Sequence, residues 1–385
     1  MKRVKNILPI FLLTIIPSLI IWAVFYFKVP QINNIPLPTN GMETIVANYD
    51  GPLYLVVAKT LYDNIAIKTS FQFPLPVEYY AAHFPLFPVL IKGLATVTKT
   101  YPYSMLAITV ASSFLALYFF NKLAKVYLND VDALWLTLVF AVFPARWLIV
   151  RSVGSPEPLF IASIIASIYY YDKKNFWRAG IWGAVATLTK SPGILLFVAY
   201  LAATIFPKIK SLATIKFETW LKSIDLKKYP VLLIPLALAG VFYIYNIQFH
   251  NFFAYFNSGD NIHLLFPPFQ IFNYSAPWVG TFWIEEVIFI YLFGAIGLME
   301  LIKEKQNAIG WFVGIFFTSI LFVSHRDLMR YALPIVPFLI ISMRKYLVTK
   351  EFKVVFLIIV IPTFLFALAF ISNNVMPISN WGPLL

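Results

Sequence analysis

The chain has 385 residues, of which 60% are hydrophobic and only 12% charged, about half the charged share of a soluble globular domain. It carries no cysteine, which excludes disulfides, thiolate metal sites and thiol nucleophiles. The net charge of +13 falls in a chain of long apolar runs, so basic cytoplasmic loops account for it and no nucleic-acid partner is expected.

Apolar runs near 20 residues recur, the mark of membrane-spanning helices. After MKRVKN the chain runs from Ile7 to Phe27 without a charge. That core is too long for a signal peptide, and aromatic residues rather than a small-residue cleavage site follow it. It reads as a first transmembrane helix with its basic N-terminus in the cytoplasm. Residues 28–103 form a first outer loop. There, Asp50-Gly51-Pro52 marks a helix start, because proline suits the first helical position. An acid is favourable beside a helix N-terminus, so Asp50 reads either as a cap or as a reactive group held at the membrane surface. Leu53, Val56, Val57 and Leu61 share one side of the following helix, which predicts an interfacial amphipathic helix.

The segment from His83 to Val97 contains two prolines and Lys92 and is short for a span. Laid on the outer surface as a re-entrant or interfacial helix, it leaves spans at 7–27, 104–121, 131–149, 158–171, 179–190, 192–206, 230–247, 284–302, 308–323, 331–343 and 354–372. Most of the 30 Lys and Arg residues then face inward. If it spanned, nearly all of those after the first helix would turn outward, so the positive-inside rule selects the first arrangement. The expected fold class is an all-α polytopic membrane protein: one transmembrane domain over 1–385, about 11 transmembrane helices, interfacial helices in the first outer loop, and the C-terminus outside. Residues 208–229 read as a cytoplasmic amphipathic segment on the anionic inner leaflet, or equally as a solvated linker. Residues 248–283 read as an outer loop lying on the membrane like a lid.

This topology gathers Asp50, Glu78, His83, Arg146, Arg151, Glu157, Lys190, His325, Arg326, Asp327 and Arg330 on the outer face. A lone histidine such as His83 is more often a hydrogen-bonding residue than a catalyst. Arg146 reads as a cation snorkelling from a helix end. Glu157 opens the fourth span and either caps it or, with Ser155, holds the first loop or an acceptor. Lys190 sits between two short apolar helices, where burial is expensive, so it needs a partner or an aqueous cavity. Arg326 and Arg330 are one turn apart and share a face if helical. Two arginines and a lysine converging there would suit a phosphate. There is no G-x-G-x-x-G, no G-x-x-x-x-G-K-[ST] and no H-E-x-x-H, so neither a nucleotide cofactor nor a tightly held metal has sequence support. Four histidines, His83, His250, His263 and His325, are too few for a multi-histidine centre.

The motifs NYDGPLYLVVAKTLY, HFPLFPVLIKGL, SPEPLFIASIIAS, WRAGIWGAVATLTKSPGILL and RYALPIVP occur in an order that resembles the membrane-embedded C-type (GT-C) glycosyltransferases. They look most like the PIG-V-like family, that of the second mannosyltransferase of GPI-anchor assembly. Its first-loop W-D-G-x-x-Y stands here as Tyr49-Asp50-Gly51-Pro52-Leu53-Tyr54, and its F-F-P-L-Y-P as His83-Phe84-Pro85-Leu86-Phe87-Pro88. The resemblance covers residues 45–200 and the RY…P from Arg330. It implies transfer of a hexose, by default mannose, from a polyprenyl- or dolichyl-phosphate donor to a glycolipid or glycan acceptor at the outer or lumenal face, with inversion. Asp50 is then the general base and Lys190, Arg326 and Arg330 the donor-phosphate ligands. Tyr54, His83, Arg151 and Glu157 would position the acceptor or the loop, with no metal and no further cofactor. A transporter or lipid flippase is the competing class, but it predicts repeated halves and charges near mid-membrane; the sequence has no such repeats, and its charges cluster at one face.

Overall fold

The computed structural model describes residues 7–208, 225–259, 264–273, 284–305 and 307–385. Most of the 208–229 segment and part of the 248–283 loop therefore lie outside the described residues, as does His263. The architecture is helical, and among the described residues one short hairpin pairs Gln31–Ile32 with Ile35–Pro36.

Helix α1, Ile7–Tyr26, is apolar all round. Phe11, Ile16 and Leu19 on it stay exposed, as do Leu357, Ile358 and Ile361 on the last helix. Such faces would be unfavourable in water and suit hydrocarbon. The chain is an integral membrane protein. Among the described residues, five helices are long and apolar enough to cross a membrane: Ile7–Tyr26, Tyr101–Ala124, Ser191–Lys208, Leu226–Phe249 and Lys350–Asn373. The expected eleven spans are thus not all continuous helices. The span expected at 131–149 is two helices, Asp130–Val142 and Ala145–Ser152, bent by 73°. Pro144 lies at the break, where it cannot supply a helical N–H. The span expected at 331–343 is one short apolar helical stretch, Leu328–Ser342, that tightens to a 3₁₀ turn at Leu333–Ile335 beside Pro334 and Pro337.

Between α1 and the long Tyr101–Ala124 helix, α4, lie α2 (Gly51–Thr60) and α3 (Leu86–Thr98). After α5 (Asp130–Val142) and α6 (Ala145–Ser152) come α7 (Glu157–Asp172), α8 (Phe176–Thr189), α9 (Leu195–Ile205) and α10 (Leu233–Phe249). The rest of the bundle is α11 (Ile284–Lys303), α12 (Asn307–Ile320), α13 (Leu328–Ala332), α14 (Val336–Ser342) and α15 (Lys350–Asn373). Helix α7 packs between α4 and α8, and α8 against α10. One core joins Phe120, Phe140, Trp147, Ile164, Phe312 and Phe338. A second core surrounds α2.

Helix α2 corrects the sequence reading. Every residue from Gly51 to Ala58 is buried, so this helix does not rest on the interface with one face in water. It packs against α3 and α4, and its apolar residues share one buried cluster with Ile21 and Phe25 of α1, Phe87 and Ile91 of α3, Leu148 of α6, Tyr245 of α10 and Ile371 of α15. Helix α3, at 13 residues, is too short to cross the bilayer.

Close helix approach depends on small residues. A Cβ on Gly180 of α8 would stand 2.1 Å from the Pro230 carbonyl oxygen, and one on Gly183 would stand 2.5 Å from Ile234. Glycines of this kind let helix backbones meet inside a membrane. Gly180→Ala is expected to destabilise the protein by about 1–3 kcal/mol, because the obstructing atom is backbone and cannot rotate away. Gly93→Ala, with nothing within 4 Å of the added carbon, should be neutral or mildly stabilising. Thermal unfolding of the two variants in detergent compares them directly.

Candidate active site

Asp50 stands at the N-terminal end of α2, yet its side chain makes no capping hydrogen bond. The cap reading therefore does not describe its carboxylate. Its backbone is held from both sides. Tyr49 before it takes φ +50°, a left-handed conformation unusual for a tyrosine and a mark of local strain. Gly51 after it lies so close to the Val46 carbonyl oxygen that a Cβ would come within 2.4 Å.

Asn48 fixes this turn. It is fully buried and its Nδ2 donates to the Ile371 carbonyl at 2.8 Å. Its Oδ1 accepts from Asn374 Nδ2 at 3.1 Å, and Asn48 bridges to Val375 as in an antiparallel sheet. The end of α15 thereby ties down the loop that carries the acid.

Glu157, the first residue of α7, is the junction of the charges. Its side chain is 3% exposed, and its Oε1 meets both Lys190 Nζ and Arg330 Nε at 2.7 Å. Ser155 Oγ donates to its Oε2. Lys190 therefore has the partner that its position demanded. Arg330 reaches on with Nη2 to Asp50 Oδ2 at 3.3 Å, and its guanidinium lies 4.2 Å from the centre of the Tyr49 ring.

Arg146 is the second correction: it does not snorkel. Its Nε is 2.9 Å from Asp327 Oδ1, its Nη1 donates to the Tyr49 hydroxyl at 3.2 Å, and it stacks 3.7 Å from the Phe370 ring centre. The Arg146–Asp327 contact is ionic rather than a directed hydrogen bond, because neither of the two atoms has a hydrogen-bond partner. Asp327 and Tyr49 were not among the site residues expected from the sequence. The sequence places Asp327 on the outer face and Tyr49 in the first-loop motif, but nothing local pairs either with Arg146, which lies far from both in the chain.

These groups surround a cavity of about 730 Å³. Asp50, Tyr54, His83, Arg146, Lys190, Arg326 and Arg330 all line it, with Tyr49, Glu286 and Asp327. Glu157 lies beneath the lining. Arg326 precedes α13 rather than sharing a helical face with Arg330, but both reach the same space. Arg151 is not brought there. It is buried at the α1–α6 contact and donates to the carbonyls of Leu13, Thr14 and Ala141, which leaves it no contact with the first loop or with an acceptor in the cavity. Among the described residues no three His, Asp or Glu side chains converge as a metal site requires.

The charges expected inside gather in separate clusters: Arg344 and Lys345 on Glu304, Lys125 on Asp130, and Lys353 near Asp132.

With this geometry in hand, comparison with known proteins shows a likeness in fold. No protein-family model matches the chain, and no curated protein does. The fold is similar to that of ArnT from Cupriavidus metallidurans. Against ArnT bound to undecaprenyl phosphate the TM-score is 0.52 at 12% identity, over 87% of this chain and 59% of that one. Against its apo state the TM-score is 0.51 at 13% identity, with the same coverage of both chains. At this identity the likeness concerns the fold, and the chain matches only about three fifths of ArnT's length.

His83 shapes the floor of the cavity. Its ring meets Tyr54 edge to face at 4.7 Å, and its carbonyl accepts from the Tyr62 hydroxyl at 2.6 Å. Burial pushes the imidazole down from 6.5 to about 4, with Arg330 and Lys190 adding to the effect and Asp50 opposing it. His83 is thus neutral at pH 7. Because the folded value is depressed, its contribution to stability is complete above about pH 6.5 and is lost as pH falls towards 4. His83→Phe is expected to flatten the fall in melting temperature between those pH values relative to the parent chain. An unchanged acid slope in detergent thermal melts would remove His83 from this role.

Proposed function

We propose that the chain is a C-type membrane glycosyltransferase that takes a sugar from a polyprenyl- or dolichyl-phosphate carrier and passes it to a hydroxyl of a glycolipid or glycan. The sequence resemblance makes mannose the first sugar to test and the outer or lumenal face the site of transfer. One observation carries the reading: a single cavity is lined by the carboxylate of Asp50, by four cations and by the apolar side chains of Val287, Ile290 and Phe366. A substrate with a phosphate next to a hydrocarbon tail finds both chemistries there. The fold likeness to a protein solved with undecaprenyl phosphate is in keeping with it.

In this reading Asp50 accepts the proton of the acceptor hydroxyl as that oxygen attacks the anomeric carbon. The bond from that carbon to the phosphate oxygen breaks, the configuration inverts, and polyprenyl phosphate departs with one more negative charge. Arg330, Lys190, Arg326 and Arg146 are the cations available to stabilise that charge, and they act more strongly out of bulk water than in it. Tyr54 packs on His83, and together they give the acid a rigid wall. The lipid tail keeps both the donor and the site at the bilayer.

Asp50→Asn is expected to lower transfer about 10²–10⁴-fold without a change in melting temperature, because the side chain it alters is 28% exposed and only loosely paired. Transfer from labelled polyprenyl-phosphate mannose in liposomes is the assay, and full activity would dismiss Asp50 as base. In the same assay Arg330→Ala should raise the donor KM together with its loss of rate.

A further inference from the structure

The two contacts of Arg330 are unequal. Nε lies 2.7 Å from Glu157, whose side chain is 3% exposed, whereas Nη2 lies 3.3 Å from Asp50, whose side chain is 28% exposed. Water weakens an exposed ion pair, while breaking a buried one leaves a charge stranded at high cost. The guanidinium also rests on the Tyr49 ring, which favours keeping it in place. Arg330 is therefore anchored at one end and loosely held at the other.

The charge count points the same way. The cations Arg146, Lys190, Arg326 and Arg330 face an equal number of acids: Asp50, Asp327 and Glu286 in the lining, with Glu157 beneath. An anion entering the cavity meets no net surplus of positive charge; of the four cations only Arg326 has no ion pair among the described residues, so a second cation can reach the anion only by leaving an acid. Lys190 and the Nε of Arg330 are committed to the buried Glu157, and Arg146 is paired with Asp327. The weakest of these contacts to displace is the one between Arg330 Nη2 and Asp50.

We propose that this contact is an exchange point: the phosphate of a lipid donor takes Nη2 of Arg330 from Asp50 while Nε stays on Glu157, so that donor binding releases the base. The inference rests on the glycosyltransferase reading above. No covalent bond changes in the exchange; one charge-assisted hydrogen bond replaces another. Arg330 then has two roles. In the empty site it contacts Asp50 through one carboxylate oxygen. In the filled site it holds phosphate. The consequence is ordered binding, with the donor entering before the acceptor is activated.

The test is equilibrium binding of undecaprenyl phosphate to the purified full chain in detergent, which needs no turnover. If Asp50 competes for Arg330, removing its charge must tighten binding. Asp50→Asn is expected to bind the lipid roughly fivefold more tightly than the parent chain, equivalent to about 1 kcal/mol, and Asp50→Ser should behave alike. Glu286→Gln removes the same charge from the wall, but no contact links Glu286 to Arg330 among the described residues, so it should give a clearly smaller gain. Asp50→Asn binding no tighter than the parent, or no tighter than Glu286→Gln, overturns the exchange and leaves the donor assignment standing. Failure of the parent chain and of both Asp50 variants to bind undecaprenyl phosphate overturns the donor assignment itself, and the exchange with it.

Discussion

The site depends on one buried carboxylate. An ionised Glu157 at this depth would be untenable alone, because burying a charge costs far more than folding can supply unless it is paired. Lys190 and Arg330 meet that demand at a single oxygen, and Ser155 occupies the other. The position at the start of α7 adds the favourable end of the helix dipole. Because the three charged residues come from the start of α7, the α8–α9 junction and α13, satisfying Glu157 draws these distant parts of the chain to one place. The cations at the cavity are therefore held before any ligand arrives. Preorganised charge of this kind is what stabilises a developing anion without reorganisation during the reaction.

A second constraint sets the acid. Asp50 sits between a tyrosine in a left-handed conformation and a glycine pressed against a carbonyl, and such strain persists only where surrounding structure enforces it. Asn48 and the end of α15 supply that enforcement, helped by Met376, whose N–H donates to the Ala47 carbonyl at 2.8 Å. Further along, Lys59 of α2 donates to the Pro383 carbonyl at 2.7 Å, and Leu384 is buried in the same core. The first loop and the final segment thus form one packed unit, although they are separated by nearly the whole chain. Burial of α2 goes with this, since α3, α4 and the Gly382–Leu384 turn pack on it and its apolar residues share one buried cluster with residues of α1, α6, α10 and α15.

Much of this was legible where the cause is local. The apolar runs, the need of Lys190 for a partner and the concentration of charges at one place follow from composition and charge placement alone. What was illegible has long-range causes. The amphipathic reading of α2 weighed Lys59 and Thr60 too heavily; the uninterrupted run from Leu53 to Ala58 is the better signal, because a helix that is apolar all round is a buried one. The partner of Arg146 is Asp327, which no local pattern could name. Arg151 directly follows the buried Val150 and turns to backbone carbonyls, not to the cavity. The broken span was foreshadowed by Pro144, but proline is tolerated inside other apolar helices here, at Pro17 and Pro362, so the residue alone does not mark a break.

The balance of charges at the cavity carries a further implication for how such a site stays selective. A cavity with unpaired cations would take up any anion of suitable size. Here Arg146, Lys190 and Arg330 already have acids, of which Glu157 and Asp327 are buried, and among the described residues only Arg326 has no ion pair, so an incoming anion gains little from simple attraction. It gains most if it can replace a specific contact with comparable geometry while its apolar part meets Val287, Ile290 and Phe366. A free inorganic anion satisfies the first condition and not the second, and a neutral lipid the second and not the first. Under the proposed function, discrimination would come from requiring both, which would place the specificity of the site in the pairing of Glu157 with its two cations as much as in any residue that touches substrate.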